Sequence, residues 1–305
     1  MTMKKSVTKI ILVALLIASF QSFSQVADTS VQQQDVSKSN IQIYTPSKLL
    51  DKGQWDIKFF NSIYTQTKQT GEGNSTSASI VGGRQNFFTS TVEVFTGISE
   101  NSRINVGAII EYRSNTIGGQ AAFSVFNFEN SNESRNGLSS IAPSLKIQPF
   151  ENAGNFSFQT ALHIPLLEKG DDADEGKVFL DQSAWSFQNR FFYDYTLPSG
   201  DWQLFTELNT EYGFGDDTSF ANNTLLFAPG VFMSYFPSDT ATILGFVQHF
   251  QRFGDFEQNG TSVGFGGKLQ ITDTLNIEAL YSSIVRGYNF QGLGDSFSIG
   301  LRALF

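Results

Sequence analysis

From Trp55 to Phe305, apolar and polar side chains alternate in segments of about ten residues, broken by polar stretches that hold most of the turn-forming residues. A repeat of two is the repeat of a β-strand, whose successive side chains point to opposite faces. In the first predicted strand Trp55, Ile57, Phe59 and Ile63 share one face, and Asp56, Lys58, Ser62 and Gln66 the other. The same alternation marks residues 88–98, 104–112, 141–147, 156–164, 185–195, 202–214, 225–235, 241–252, 263–271 and 277–285. In the last strand Phe297, Ile299, Leu301, Ala303 and Phe305 alternate with Ser298, Gly300, Arg302 and Leu304. The pattern therefore predicts about twelve strands, an even number.

The connectors sharpen that reading. Those at 99–102, 150–154, 198–201, 237–240 and 272–274 are short, and those at 68–78, 114–136, 166–180, 215–223, 253–260 and 287–295 are longer and polar, so the two kinds alternate strictly. An all-β, up-and-down antiparallel transmembrane β-barrel has this plan, with short periplasmic turns and longer external loops. The competitor is a soluble β-sandwich or periplasmic barrel, which also alternates but is built from strands of about five or six residues. Strands of about ten residues are long enough to cross a bilayer at a tilt.

Composition agrees with an extensive sheet: 31 Phe and 27 Gly against 7 Pro. At the N-terminus Lys4, Lys5 and Lys9 flank the start of an apolar run over residues 10–18, followed by small polar residues. Residues 1–24 thus read as a secretory signal peptide cut before Gln25, the apolar run being short for a membrane span. Polar residues 25–44, without periodicity, read as a periplasmic tail, and residues 45–305 as the barrel. The chain has 20 basic and 29 acidic residues; without the three signal lysines 17 basic remain, a net charge of −12, which argues against a nucleic-acid partner. There is no cysteine, hence no disulfide or thiolate chemistry.

The closing stretch from Ser296 to Phe305 resembles the terminal strand of Gram-negative outer-membrane β-barrel proteins. The wider chain, including Tyr44-Thr-Pro-Ser-Lys-Leu-Leu-Asp-Lys-Gly-Gln-Trp55, is similar to barrels of the Bacteroidota type grouped with transporters named after the phenol meta-pathway of degradation. The resemblance implies residence in the bacterial outer membrane, lipid as a partner, and assembly by the barrel-assembly machinery. It also implies that Phe297, Ile299, Leu301, Ala303 and Phe305 belong to the signal that this machinery reads.

If the apolar rows face lipid, the other rows face the lumen. The inward candidates are Asp56, Lys58, Glu93, Glu111, Arg113, Lys146, His163, Arg190, Asp194, Glu207, Glu211, Lys268, Glu278, Arg286 and Arg302. Seven are acidic and seven basic apart from His163, a balance that predicts ion pairs across the interior, since an unpaired charge there is costly. Trp55, Trp202 and Trp185 fall at strand ends, with Tyr112, Tyr193, Tyr195 and Tyr235, where aromatic belts meet the membrane interface.

A lumen of this kind suits a narrow, porin-like channel or transporter for a small solute. Two alternatives stand beside it: a non-conducting structural or partner-binding surface barrel, and a membrane lipid hydrolase. A hydrolase would have to use His163 or His249, and neither lies in a serine motif. The acidic loop 170–176 lacks the spacing of a calcium loop, and the glycine clusters at 264–267 and 292–294 lack the following helix of a phosphate loop. Those glycines read as barrel corners or bulges. No cofactor, metal or catalytic residue is called for. The long connector 115–135, with Phe123, Phe126 and Phe128, either folds into the mouth as a constriction or extends two strands above the membrane.

Overall fold

The computed structural model describes residues 45–167, 178–180, 184–215 and 222–305. The signal segment, the tail and the acidic loop 170–176 lie outside the described residues. Thirteen strands run β1 (Trp55–Thr70), β2 (Ser77–Ser79), β3 (Gln85–Gly97), β4 (Ile104–Thr116), β5 (Ser134–Ile147), β6 (Phe156–Pro165), β7 (Ser186–Thr196), β8 (Trp202–Gly213), β9 (Thr224–Ser238), β10 (Ala241–Gly254), β11 (Gln258–Gln270), β12 (Leu275–Tyr288) and β13 (Gly292–Leu304). β2 is a three-residue strand lying on the end of β1. The other twelve pair antiparallel, each with its neighbour in sequence, and β13 returns to β1. The sheet is a closed up-and-down barrel without edges, which satisfies the backbone along every wall strand.

Closure extends to the last residue. The Phe305 amide donates to the Trp55 carbonyl and the Trp55 amide to the Phe305 carbonyl, both at 3.0 Å. Ile57, Phe59, Asn61 and Ile63 face Ala303, Leu301, Ile299 and Phe297 across this seam, so the apolar row of β13 continues the outward row of β1.

Pairing carries one parity around the ring. Phe59, Val231, Ile243, Phe265, Phe297 and Ile299 point outward and are exposed, Phe265 to 63 %. A continuous belt of exposed large apolar side chains is not tolerated against water over such an area, whereas it is the surface that hydrocarbon requires. This separates the molecule from a soluble sandwich or barrel, whose apolar rows would be packed inside. Trp55 and Trp202 lie where β1 and β8 begin and Trp185 just before β7, all exposed, and Trp202 packs on Tyr235 with ring centroids 4.8 Å apart. The short turns are tight; in the one joining β7 to β8, Gly200 takes φ +82°, which a side chain would strain.

Three features differ from the sequence reading. The connectors expected at 253–260 and 287–295 leave only 255–257 and 289–291 outside strands: β10 and β11 pair to Arg252/Gln258, and beyond Ser283/Asp295 β12 continues on β11 and β13 on β1. The strict short–long alternation is thus relaxed at two hairpins. The glycines at 264–267 sit mid-strand in β11, away from the irregularity at Thr261/Ser262, so they mark neither corner nor bulge.

The third concerns the connector 115–135. Both strands do extend, β4 to Thr116 and β5 from Ser134, but the tip neither enters the mouth nor rises clear of the wall. Its 3-10 helix, Ala122–Asn127, lies against the outer face of β1 and β3, where Val125 is fully buried on Ile63 and Phe88. Polar side chains on that face hold it. Ser114 Oγ donates to the Val125 carbonyl at 2.6 Å, Asn86 Nδ2 donates to Thr116 Oγ1 at 3.0 Å, and Thr65 Oγ1 donates to Asn86 Oδ1 at 2.8 Å. Phe126 packs edge-on to Phe88, and Phe128 edge-on to Tyr112. The loop covers polar groups that would otherwise face outward and replaces them with phenylalanine.

Candidate functional site: the lumen

With the outer parity set, the inner row follows. Asp56, Lys58, Glu93, Glu111, Arg113, Lys146, His163, Arg190, Asp194, Glu207, Glu211, Lys268, Glu278 and Arg302 all stand on it. Arg286 does not. The irregularity in β12 opposite Thr261/Ser262 inserts one residue, so Arg286 pairs with outward Thr261 and is exposed on the outer face. Period-two counting through an unseen bulge inverts every later position.

The charges form a chain. Arg302 grips Asp56 with two bonds, Nε to Oδ1 at 2.8 Å and Nη2 to Oδ2 at 2.9 Å. Lys58 Nζ lies 3.7 Å from Asp56 Oδ2 and 3.4 Å from Glu93 Oε2. The other oxygen of Glu93 faces Arg190 Nη1 at 3.9 Å, and Arg190 Nε donates to Glu207 Oε1 at 2.8 Å. Since Glu93 is on β3 and Arg190 on β7, this link spans the interior across four strand positions and narrows it. Lys268 pairs with Glu278 at 2.7 Å, and Arg113 with Glu111 at 2.7 Å. Alternating signs let each charge keep a partner after its water is removed.

Both ends of the lumen are narrowed by chain segments. At the end where the chain enters and leaves the barrel, residues 45–50 lie inside the wall. Leu50 packs on Phe95 and Leu304, while Leu49 and Ser47 are fully buried. Thr45 Oγ1 donates to Asp194 Oδ1 at 2.9 Å, and Lys146 Nζ donates to the carbonyls of Pro46 and Lys48. At the opposite end residues 178–180 enter. Arg113 Nη1 donates to the Leu180 carbonyl at 2.7 Å and Asn115 Nδ2 to the Phe179 carbonyl at 2.6 Å, with Val178 and Leu180 buried. The mouth is therefore lined by the third long loop, where sequence reasoning had weighed the second.

Between these segments lies a cavity of about 610 Å³. Lys58, Glu93, Lys146, Arg190, Glu207, Lys268, Glu278 and Arg302 line it, as do Ser62, Ser282, Ser296 and Ser298. Phenylalanines line it as well, and charge-based reasoning missed them: Phe60, Phe192, Phe205, Phe232, Phe236 and Phe246. The signal was present as parity. Phe192 stands midway between Arg190 and Asp194, and Phe205 two residues before Glu207, so each shares the row of an inward charge.

Gly264 of β11 makes room for one of these rings. A Cβ on Gly264 would lie 2.3 Å from Phe246 Cζ and 2.5 Å from the Tyr281 carbonyl. Gly264→Val is accordingly expected to destabilise the barrel by about 1–3 kcal/mol through overpacking, measured as a lowered urea midpoint in detergent micelles, while Gly245→Ala, where no heavy atom lies closer than 3.9 Å, should change little.

The histidines assemble no hydrolytic array. His163 Nδ1 lies 3.5 Å from Ser140 Oγ, and its buried Nε2 meets no hydrogen-bonding group among the described residues, so nothing there orients the ring. His249, whose register the sequence left open, is on the outward row, its Nδ1 2.9 Å from Thr261 Oγ1. Among the described residues no group of three or more His, Asp or Glu side chains is placed to hold a metal ion.

A family model described as "Putative MetA-pathway of phenol degradation" matches residues 69–299. The structure is similar to the crystal structure of the COG4313 outer membrane channel from Pseudomonas putida F1, with TM-score 0.67 and 9 % identity over 86 % of this chain and 99 % of that one. It is also similar to the β domain of the Bordetella autotransporter BrkA, with TM-score 0.51 and 14 % identity over 82 % of this chain and 99 % of that one. At these identities the likeness is one of fold. No curated protein matches the chain by sequence.

Proposed function

The chain belongs to the family described as "Putative MetA-pathway of phenol degradation", and from that membership and the geometry of its lumen we propose that it is an outer-membrane channel for small solutes. The observation that carries this reading is the cavity of about 610 Å³ lined by ion pairs and small hydroxyls beside a strip of phenylalanine. Such a lining replaces part of a solute's hydration without holding it in a deep well, which is what conduction needs. The name of the P. putida channel supports the same function on the same fold. No proton transfer or covalent step is required, and a transporter without catalysis accounts for the site.

In this reading both termini are periplasmic and the longer loops external, so residues 45–50 narrow the periplasmic mouth and residues 178–180 the external one. Outer-membrane lipid covers the apolar belt. The barrel-assembly machinery reads the last strand, where Phe297, Ile299, Leu301 and Phe305 project outward in one row.

Purified protein in planar bilayers should show discrete current steps of small, uniform size in potassium chloride. The absence of steps in both the intact chain and a variant lacking residues 45–50, across a range of salts, would refute the channel and leave a closed surface barrel.

A further inference from the structure

The lumen is not evenly lined. Phe192, Phe205, Phe232 and Phe246 come from four adjacent strands, β7 to β10, and form a continuous ladder: centroid separations are 6.2, 5.2 and 5.2 Å, with interplanar angles of 21°, 45° and 27°. Around a ring of twelve strands these four stand opposite β13, β1, β3 and β4, where the same cavity is bounded by Ser62, Ser296 and Ser298. One wall is thus a ladder of rings largely buried against one another, and the other carries serines and charges beside Phe60, with a slot between.

The ladder begins at two cations. Lys146 Nζ lies 5.2 Å and Arg190 Cζ 5.1 Å from the centroid of Phe192. Arg190 is committed to Glu207 and Glu93, but Lys146 has no carboxylate within salt-bridge distance among the described residues; its bonds go to the carbonyls of Pro46 and Lys48. Its hydrogen bonds go to dipoles, and an anion arriving in the cavity would be the first to meet it at salt-bridge distance among the described residues.

We infer that this slot is a binding site for a small aromatic carboxylate, the ring lying against the Phe205–Phe232–Phe246 ladder and the carboxylate turned toward Lys146. The inference rests on the channel reading for the solute's path, but not for its binding. Ring-on-ring contact supplies affinity without a directional bond, and a succession of nearly equivalent rings lets the ligand move from one to the next. The carboxylate sets orientation through the ammonium. The cavity is within the size range of sites for small organic molecules. An aliphatic acid of the same charge would keep the contact to Lys146 and lose stacking, and a neutral ring would do the reverse.

The test is calorimetric titration of the detergent-solubilised full chain with benzoate, cyclohexanecarboxylate, benzyl alcohol and acetate. Benzoate should bind at least about fivefold more tightly than cyclohexanecarboxylate, which has the charge and bulk without the π face, with the other two weaker still. Phe205→Leu combined with Phe232→Leu keeps an apolar wall and should remove the preference for benzoate. Lys146→Gln, which still donates to the Pro46 and Lys48 carbonyls, should weaken benzoate by about fivefold or more and leave benzyl alcohol unchanged. Equal binding of benzoate and cyclohexanecarboxylate, or a benzoate affinity untouched by both variants, overturns the site. Benzoate binding in a protein that passes no current keeps the site and refutes the channel; current without benzoate binding does the converse.

Discussion

Deleting residues 45–50 is expected to raise the single-channel conductance by at least about twofold over the intact chain, because the resistance of a narrow pore is dominated by its tightest section. The segment is held by few contacts of different kinds. Leu50 sits on Phe95 and Leu304, Thr45 donates to Asp194, and Lys146 reaches two of its carbonyls. None belongs to the wall pairing, which starts at Trp55, so the barrel should still close. Heat-modifiable migration on gels checks that closure independently. An unchanged conductance in a closed barrel would show that the constriction lies elsewhere, at the Glu93–Arg190 link or, among the described residues, at 178–180. A point variant gives a graded version: Leu50→Ala removes the apolar anchor and should produce an intermediate conductance with more frequent openings.

The second large effect is expected at the seam. Asp56 is almost fully buried and receives two bonds from Arg302 and a longer contact from Lys58. Asp56→Ala takes from the Arg302 guanidinium the carboxylate that it grips with two bonds in a confined interior, and should cost about 3–5 kcal/mol. The cost falls on the pairing of β1 with β13, which closes the barrel. A lowered temperature for conversion of the compact gel band to the unfolded one would register it. Asp56→Ala with Arg302→Met removes both members and should recover most of the loss, since a buried pair replaced by apolar volume is often near neutral. A double variant as unstable as the single one would mean that the pair is needed for more than mutual neutralisation. Lys58 keeps Glu93 in either case, so the rest of the charge chain is left standing.

Much of this architecture was readable before any coordinates. Twelve wall strands, their order and the outward row follow from the period of two, because a strand has no other way to segregate apolar from polar side chains. The same period puts most of the charged wall residues on the opposite row. The failures have identifiable physical causes. Arg286 was misplaced because a one-residue irregularity in β12 reverses parity and leaves no mark in composition. The turns at 255–257 and 289–291 were read as long loops because pairing continues through polar residues, which hydrophobic patterning does not see. The connector 115–135 was read as mouth or strand because its phenylalanines have no period; they lie against the outer wall.

Phenylalanine marks the boundary between the two kinds of information. A Phe is apolar on either face, so hydropathy assigns Phe265 and Phe205 alike, although one is exposed on the outer face and the other lines the lumen. The order of residues along the chain dictated a membrane-sized closed sheet with charges on its inner row, because alternation and strand length are local properties. Pairing in three dimensions settled which rings stack into a ladder, which segments enter the two mouths and which carboxylate meets which cation. Those are relations between residues far apart in the chain, and they exist only once the register of each strand on its neighbour is set.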